Sequence, residues 1–218
     1  MKNEKLTEQE SLQLISQMIN KAKNSYHDSG IGPILWGSVI SFCSLVTFAS
    51  WKFDFKLPFD IWLLTLVAVV PQIFIVSREK KLNKFRSYDE ATMDYVWMSF
   101  GISIFLLVFI NNYIATQLNP VFQTYIDVKG SRPPHNFTSF NSTFFLLLYG
   151  IPTIITGGAR RFKPMLYGGI LCWVCCIASL FTAIDTDMLL IAIAAVAAWL
   201  IPGIILFKKR KNEKAVHV

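Results

Sequence analysis

Charge is what this sequence has least of for its size. Of 218 residues only 16% are Asp, Glu, Lys or Arg, while 53% are hydrophobic and 14% aromatic, a balance foreign to a soluble domain. The scarcity is also patterned: no charged side chain falls in the middle of any of six dense apolar runs. Ion-coupled transporters usually keep an ionisable group near the bilayer midplane to hold the coupling ion, so a proton or sodium symporter is disfavoured. Histidine is nearly absent, and His27, His135 and His217 all lie outside those runs. A transmembrane haem with histidine ligands, an intramembrane serine protease and a zinc protease are thereby excluded. The first thirty residues lack the apolar core of a cleavable signal peptide, so the first span is expected to direct insertion and the N-terminus to stay on the protein.

What is present is hydrocarbon-length sequence. At about 1.5 Å per helical residue, each run is long enough to cross about 30 Å of bilayer core. The expected spans are residues 31–51, 58–76, 94–115, 141–156, 164–183 and 188–207, an all-α, six-helix integral membrane bundle. Residues 1–30 precede it as an amphipathic helix: Thr7 and Glu10 have capping-box spacing, and Leu12, Ile15, Ile19, Ala22 and Tyr26 recur at helical intervals. Residues 208–218 form a basic tail. Ser87 with Glu90 is expected to cap the third span, Asn141 to Thr143 precede the fourth, and Asp185 with Asp187 precede the sixth. Residues 116–140, with Pro120, Gly130, Pro133 and Pro134, read as an external loop holding at most one short helix.

Seventeen lysines and arginines fall in the N-terminal segment, the loops after the second and fourth spans and the tail, against four on the other side (Lys52, Lys56, Lys129, Arg132). The positive-inside rule therefore places both termini in the cytoplasm. The net charge of +7 follows from this topology. Its expected partners are anionic lipid headgroups, with no nucleic acid implied.

Two marks recur. Aromatic residues open the odd spans in Pro33-Ile34-Leu35-Trp36-Gly37, Asp94-Tyr95-Val96-Trp97-Met98 and Pro164-Met165-Leu166-Tyr167-Gly168, and prolines close the even spans at Pro71, Pro152 and Pro202. The aromatic-to-proline distances are 35, 55 and 35 residues, the middle copy being longer by its external loop. This predicts three repeated transmembrane helical hairpins. Each proline removes one backbone hydrogen bond near a helix end, so the three are candidates to shape a shared cytoplasmic vestibule, or else simply to relieve packing.

The polar residues within the spans are Ser41, Ser44, Thr47, Gln72, Asn111, Asn112, Tyr149 and Thr153. Gln72, Asn111 and Thr153 are the candidates to line the bundle, with interhelical hydrogen bonding as the plainer role for each. Cys172, Cys175 and Cys176 crowd the fifth span, and Cys43 lies in the first. In hydrocarbon a thiol is kept neutral and packs as a small apolar group, so neither metal nor redox chemistry is expected there. Gly101, Gly157, Gly158, Gly168, Gly169 and the alanine-rich run 192–198 permit close helix approach, as in a compact bundle or a homo-oligomer. The acceptor patterns at Asn136 and Asn141 are short, frequent by chance and expected to carry no glycan.

The stretch Leu14-Ile15-Ser16-Gln17-Met18-Ile19-Asn20-Lys21-Ala22-Lys23, followed by Gly30 and Trp36-Gly37, resembles the opening of an uncharacterised family of small bacterial six-span membrane proteins. The likeness covers the first fifty residues and implies a bacterial inner-membrane setting without an activity or site residues. In architecture alone, the hairpin triplication is similar to acid-resistance membrane proteins built from repeated two-helix units.

These features predict no catalytic residues, no metal and no cofactor. The leading expectation is a non-enzymatic accessory, scaffold or sensory protein that engages a partner through Leu12, Ile15 and Ile19. The alternative is a facilitator or channel for a neutral or lipophilic solute. An enzyme working through the Cys172 cluster comes third.

Overall fold

The computed structural model describes residues 12, 13 and 16, then 29–82, 88–130 and 137–216. From residue 31 onward the described chain is a series of helices joined by turns: α1 Ile31–Lys52, α2 Leu63–Leu82, α3 Tyr88–Lys129, α4 Asn141–Ala159, α5 Lys163–Ala178, and α6 Ile184–Ala195 running on into α7 Ile201–Val216. A five-residue π turn, Val196–Leu200, joins α6 to α7 without breaking the rod. Among the described residues, four segments are long and apolar enough to cross a membrane: Ile31–Lys52, Ala91–Lys129, Asn141–Ala159 and Ile184–Asn212. The shorter Lys163–Ala178 is equally apolar in character. The chain is a helical membrane protein.

The α4–α5 hairpin and the packing of α1 on α6 form the centre, with the π turn wedged between α1 and α5. Glycine makes this close approach feasible, because a side chain at several of these positions would strike backbone. A Cβ on Gly37 would stand 2.5 Å from Leu200 N, and one on Gly168 would stand 2.5 Å from Ala198 Cα. Gly30, left-handed at φ +73°, starts α1 against the Gly203 carbonyl of α7. In the outer layer, α2 lies along α1, and α3 lies along α4 and the 3₁₀ turn Phe137–Phe140. Both outer helices turn apolar side chains such as Val67, Phe74, Ile102 and Phe109 away from the protein, more than half exposed, as lipid-facing surfaces do.

Several boundaries differ from the sequence expectation. The third helix runs straight through Pro120 to Lys129 and ends at left-handed Gly130, so most of the expected loop is helix. Proline removes one hydrogen bond there, and the hydroxyls of Thr116 and Thr124 bond back to Asn112 O and Pro120 O at 2.9 and 3.0 Å on either side. The second helix begins at Leu63, five residues late, behind a turn in which Trp62 N donates to Asp60 Oδ1 at 3.0 Å, and it carries Arg78 to Lys81 on helix rather than loop. The fifth stops at Ala178, and the expected basic tail continues α7 to Val216.

Cap chemistry differs too. Asn141 is the first helical residue rather than a cap, and Asp185 and Asp187 sit inside the first turn of α6, where carboxylates complement the helix dipole. Asp187 is buried, accepting from Thr182 Oγ1 at 2.5 Å. Ser87 lies outside the described residues, as do Ile15, Ile19 and most of the segment expected to form the N-terminal helix.

Candidate functional site

Between α2 and α3, floored by α1, α4 and the π turn, lies a cavity of about 1020 Å³. Its outer walls are each one stripe of a helix. On α2 the lining residues include Leu63, Leu66, Val69, Gln72, Val76 and Glu79, and on α3 Met93, Trp97, Phe100, Ile104, Val108 and Asn111. Steps of three and four keep the α3 set on one helical face, whereas the run of three-residue steps winds the α2 set gradually around its helix. From Met93 to Asn112 the α3 lining covers about 28 Å of helix, close to the thickness of a hydrocarbon core. Leu66 and Phe105 line the cavity yet are 67% and 69% exposed, so it is open to the side along α2 and α3.

The cavity has three zones. One end is charged, with Glu79, Lys80, Asp94 and Arg160. There Lys80 Nζ lies 3.6 Å from Asp94 Oδ2, linking α2 to α3, and Glu79 Oε1 accepts from both the amide and the hydroxyl of Ser29, which ties α2 to the start of α1.

The middle is aromatic. Tyr149 and Trp199 pack at 4.8 Å between centroids with their rings tilted by 52°, and Phe100 meets them edge-on at 6.1 and 6.0 Å. Trp97 closes the group at 5.7 Å from Phe100 and 6.4 Å from Trp199. Two hydrogen bonds fix the indoles. Trp199 Nε1 donates to Thr153 Oγ1 at 2.9 Å, and Trp97 Nε1 donates to Thr156 Oγ1 at 3.2 Å. Each threonine also donates to a carbonyl one turn back, Tyr149 O at 2.6 Å and Pro152 O at 2.7 Å, so neither hydroxyl is left to rotate. The far end is polar but carries little charge, with Asn111, Asn112, Asn141, Ser142 and Thr47 beside Asp60.

The sequence candidates divide across this geometry. Gln72 and Asn111 line the cavity, and Thr153 stands behind it as the acceptor for Trp199. Pro152 and Pro202 are fully buried in α4 and α7, Pro71 is exposed on α2, and none of the three lines the cavity. Leu12 is helical and 66% exposed. Cys172 and Cys175 are buried and Cys176 is half-buried, with its thiol against Thr143 O at 3.4 Å; all four cysteines are free thiols. Among the described residues no three His, Cys, Asp or Glu side chains gather as a metal site.

Trp199 is the residue that sequence reasoning missed. It ends an alanine-rich run, and only the π turn, gripped by Gly37 and Gly168, brings it to the aromatic group. No protein family, curated protein or solved structure matches the chain.

Proposed function

We propose that the protein is a non-enzymatic facilitator that binds a neutral, lipophilic molecule within the bilayer and lets it move along the cavity. The observation that carries this reading is the cavity itself: nearly one bilayer thickness long, aromatic in its middle and reached from the side. Charged groups gather at one end and the middle holds none, which suits an uncharged cargo. The membrane framework for this proposal is a six-span bundle of three hairpins in a bacterial inner membrane, with both termini cytoplasmic. In that framework Glu79, Lys80, Asp94 and Arg160 mark the cytoplasmic mouth, and Asn111 and Asn141 the outer end.

Phosphatidylcholine vesicles holding the purified protein and a nitrobenzoxadiazole-labelled glucosylceramide test the idea. Inner-leaflet label should become accessible to external dithionite at least about tenfold faster than in protein-free vesicles of equal tightness. Gly101 lines the cavity and a Cβ there meets nothing within 4 Å, so Gly101→Trp should fill the passage and return the rate to background without unfolding the protein. Equal rates with and without protein would sink the reading.

A second reading, an accessory protein that engages a partner through its N-terminal helix, draws on the exposure of Leu12. Deleting residues 1–24 should then abolish co-purification of that partner from the host membrane. A partner set unchanged by the deletion removes this alternative.

A further inference from the structure

The polar end of the cavity has unmet hydrogen-bonding capacity. Asn111 is 6% exposed, and neither its Oδ1 nor its Nδ2 finds a hydrogen-bond partner among the described residues. Asn141 Oδ1 is likewise buried and unpartnered. Both residues line the cavity, and the helix register sets them at the same end. The bond from Trp97 to Thr156 pairs α3 with α4, and Phe100 meets Tyr149 further along, so the two helices run antiparallel. Fourteen residues on from Trp97 is Asn111, and fifteen back from Thr156 is Asn141. Each lies about 21–22 Å from the indole bond by helical rise.

A buried amide without a partner is costly, and a ligand that satisfies it recovers that cost. The unmet atoms specify what the ligand must bring. Two carbonyl oxygens require two donors, and one amide nitrogen requires an acceptor. A carboxylate or phosphate offers acceptors alone and would face two carbonyl oxygens, with Asp60 also lining this end. A quaternary ammonium offers neither donor nor acceptor. A vicinal diol offers both. Gln72, nearer the charged end, adds one unpartnered acceptor against Gly32, a poorer set than the asparagine pair.

We propose that Asn111 and Asn141 form a head-group site for an uncharged amphiphile bearing a diol or polyol head, whose hydrocarbon chain lies along the aromatic zone. This rests on the cavity being a site for a lipophilic ligand and adds the chemical class of its head.

The test is native mass spectrometry of the full-length protein in detergent, offered equimolar 1-monooleoylglycerol and methyl oleate. The two share an acyl chain, but the methyl ester has no donor. The wild-type protein should retain the glyceride over the ester by at least about tenfold, the scale of one good hydrogen-bonded contact. Asn111→Leu should bring the ratio close to one. Asn141→Ala, the second variant, should lower the ratio as well. Because Asn111 makes no hydrogen bond in the fold, Asn111→Leu should melt no lower than wild type. A ratio near one in the wild type, or one unchanged in both variants, overturns the head-group site and leaves the cavity reading standing. Retention of neither ligand overturns both.

Discussion

Alanine at Gly157 should lower the thermal midpoint of the detergent-solubilised protein by about 5 °C, while alanine at the neighbouring Gly158 should leave it unchanged or slightly raised. The two glycines are adjacent in sequence and differ only in what they face. A Cβ on Gly157 would stand 2.5 Å from Leu166 N and 2.8 Å from Leu166 Cα, whereas one on Gly158 meets nothing within 4 Å. The obstacle at Gly157 is backbone, which cannot rotate aside as a flexible side chain can. The α4–α5 hairpin would have to open, at a cost of about 1–3 kcal/mol. At Gly158 the helix gains the better propensity of alanine and loses no contact. Gly37→Ala and Gly168→Ala should match Gly157→Ala, because each drives a Cβ to 2.5 Å from the backbone of the π turn. Gly101→Ala should match Gly158→Ala. Thermal unfolding followed by tryptophan fluorescence checks all five, and equal shifts at Gly157 and Gly158 would refute the packing account.

Those glycines also show where sequence reading reaches its limit. Gly101, Gly157, Gly158, Gly168 and Gly169 are alike as letters, each a small residue in an apolar run. Three of them sit where a neighbouring chain comes within 3 Å of a Cβ position and two do not. That distinction belongs to helix rotation, which the nearly uniform hydrophobicity of a membrane run does not encode. Spans are easier to read than faces, because burial in lipid needs only length and apolarity. Pro120 illustrates the opposite error. A proline penalty of about 3 kcal/mol argues for a break, yet α3 continues through it to Gly130, where a left-handed residue ends the helix.

The site was legible in part, and the legible part is polar. Gln72 and Asn111 stand out because an amide in hydrocarbon must be bonded or used, so their presence in apolar runs marks them without any structure. Thr153 carries the same signal but spends its hydroxyl internally, and its partner is 46 residues away. Trp36 and Trp97 are visible as interfacial aromatics, yet they line a cavity. Tryptophan suits both places, since an indole is apolar except at one nitrogen. Which role it takes depends on the register of its helix, and for Trp199 on a single inserted residue in the π turn.

Trp199 is where the second large effect is expected. Trp199→Ala removes a side chain only 3% exposed that contacts Tyr149, Phe100 and Trp97, and the fold should lose about 3–5 kcal/mol with it. Volume loss and hydrogen-bond loss both contribute, and Thr153 separates them. Thr153→Val keeps the shape and removes the acceptor, leaving the indole N–H buried without its partner at a cost of about 1–3 kcal/mol. Trp199→Phe leaves the threonine its bond to Tyr149 O and removes the donor. If the bond matters as described, Thr153→Val should be far less damaging in the Trp199→Phe background than in the wild type. The coupling should be about 1 kcal/mol or more, measured by a double-mutant cycle of denaturation midpoints. Strictly additive losses would mean that the 2.9 Å contact does not hold the indole, and that the aromatic floor of the cavity is kept in place by packing alone.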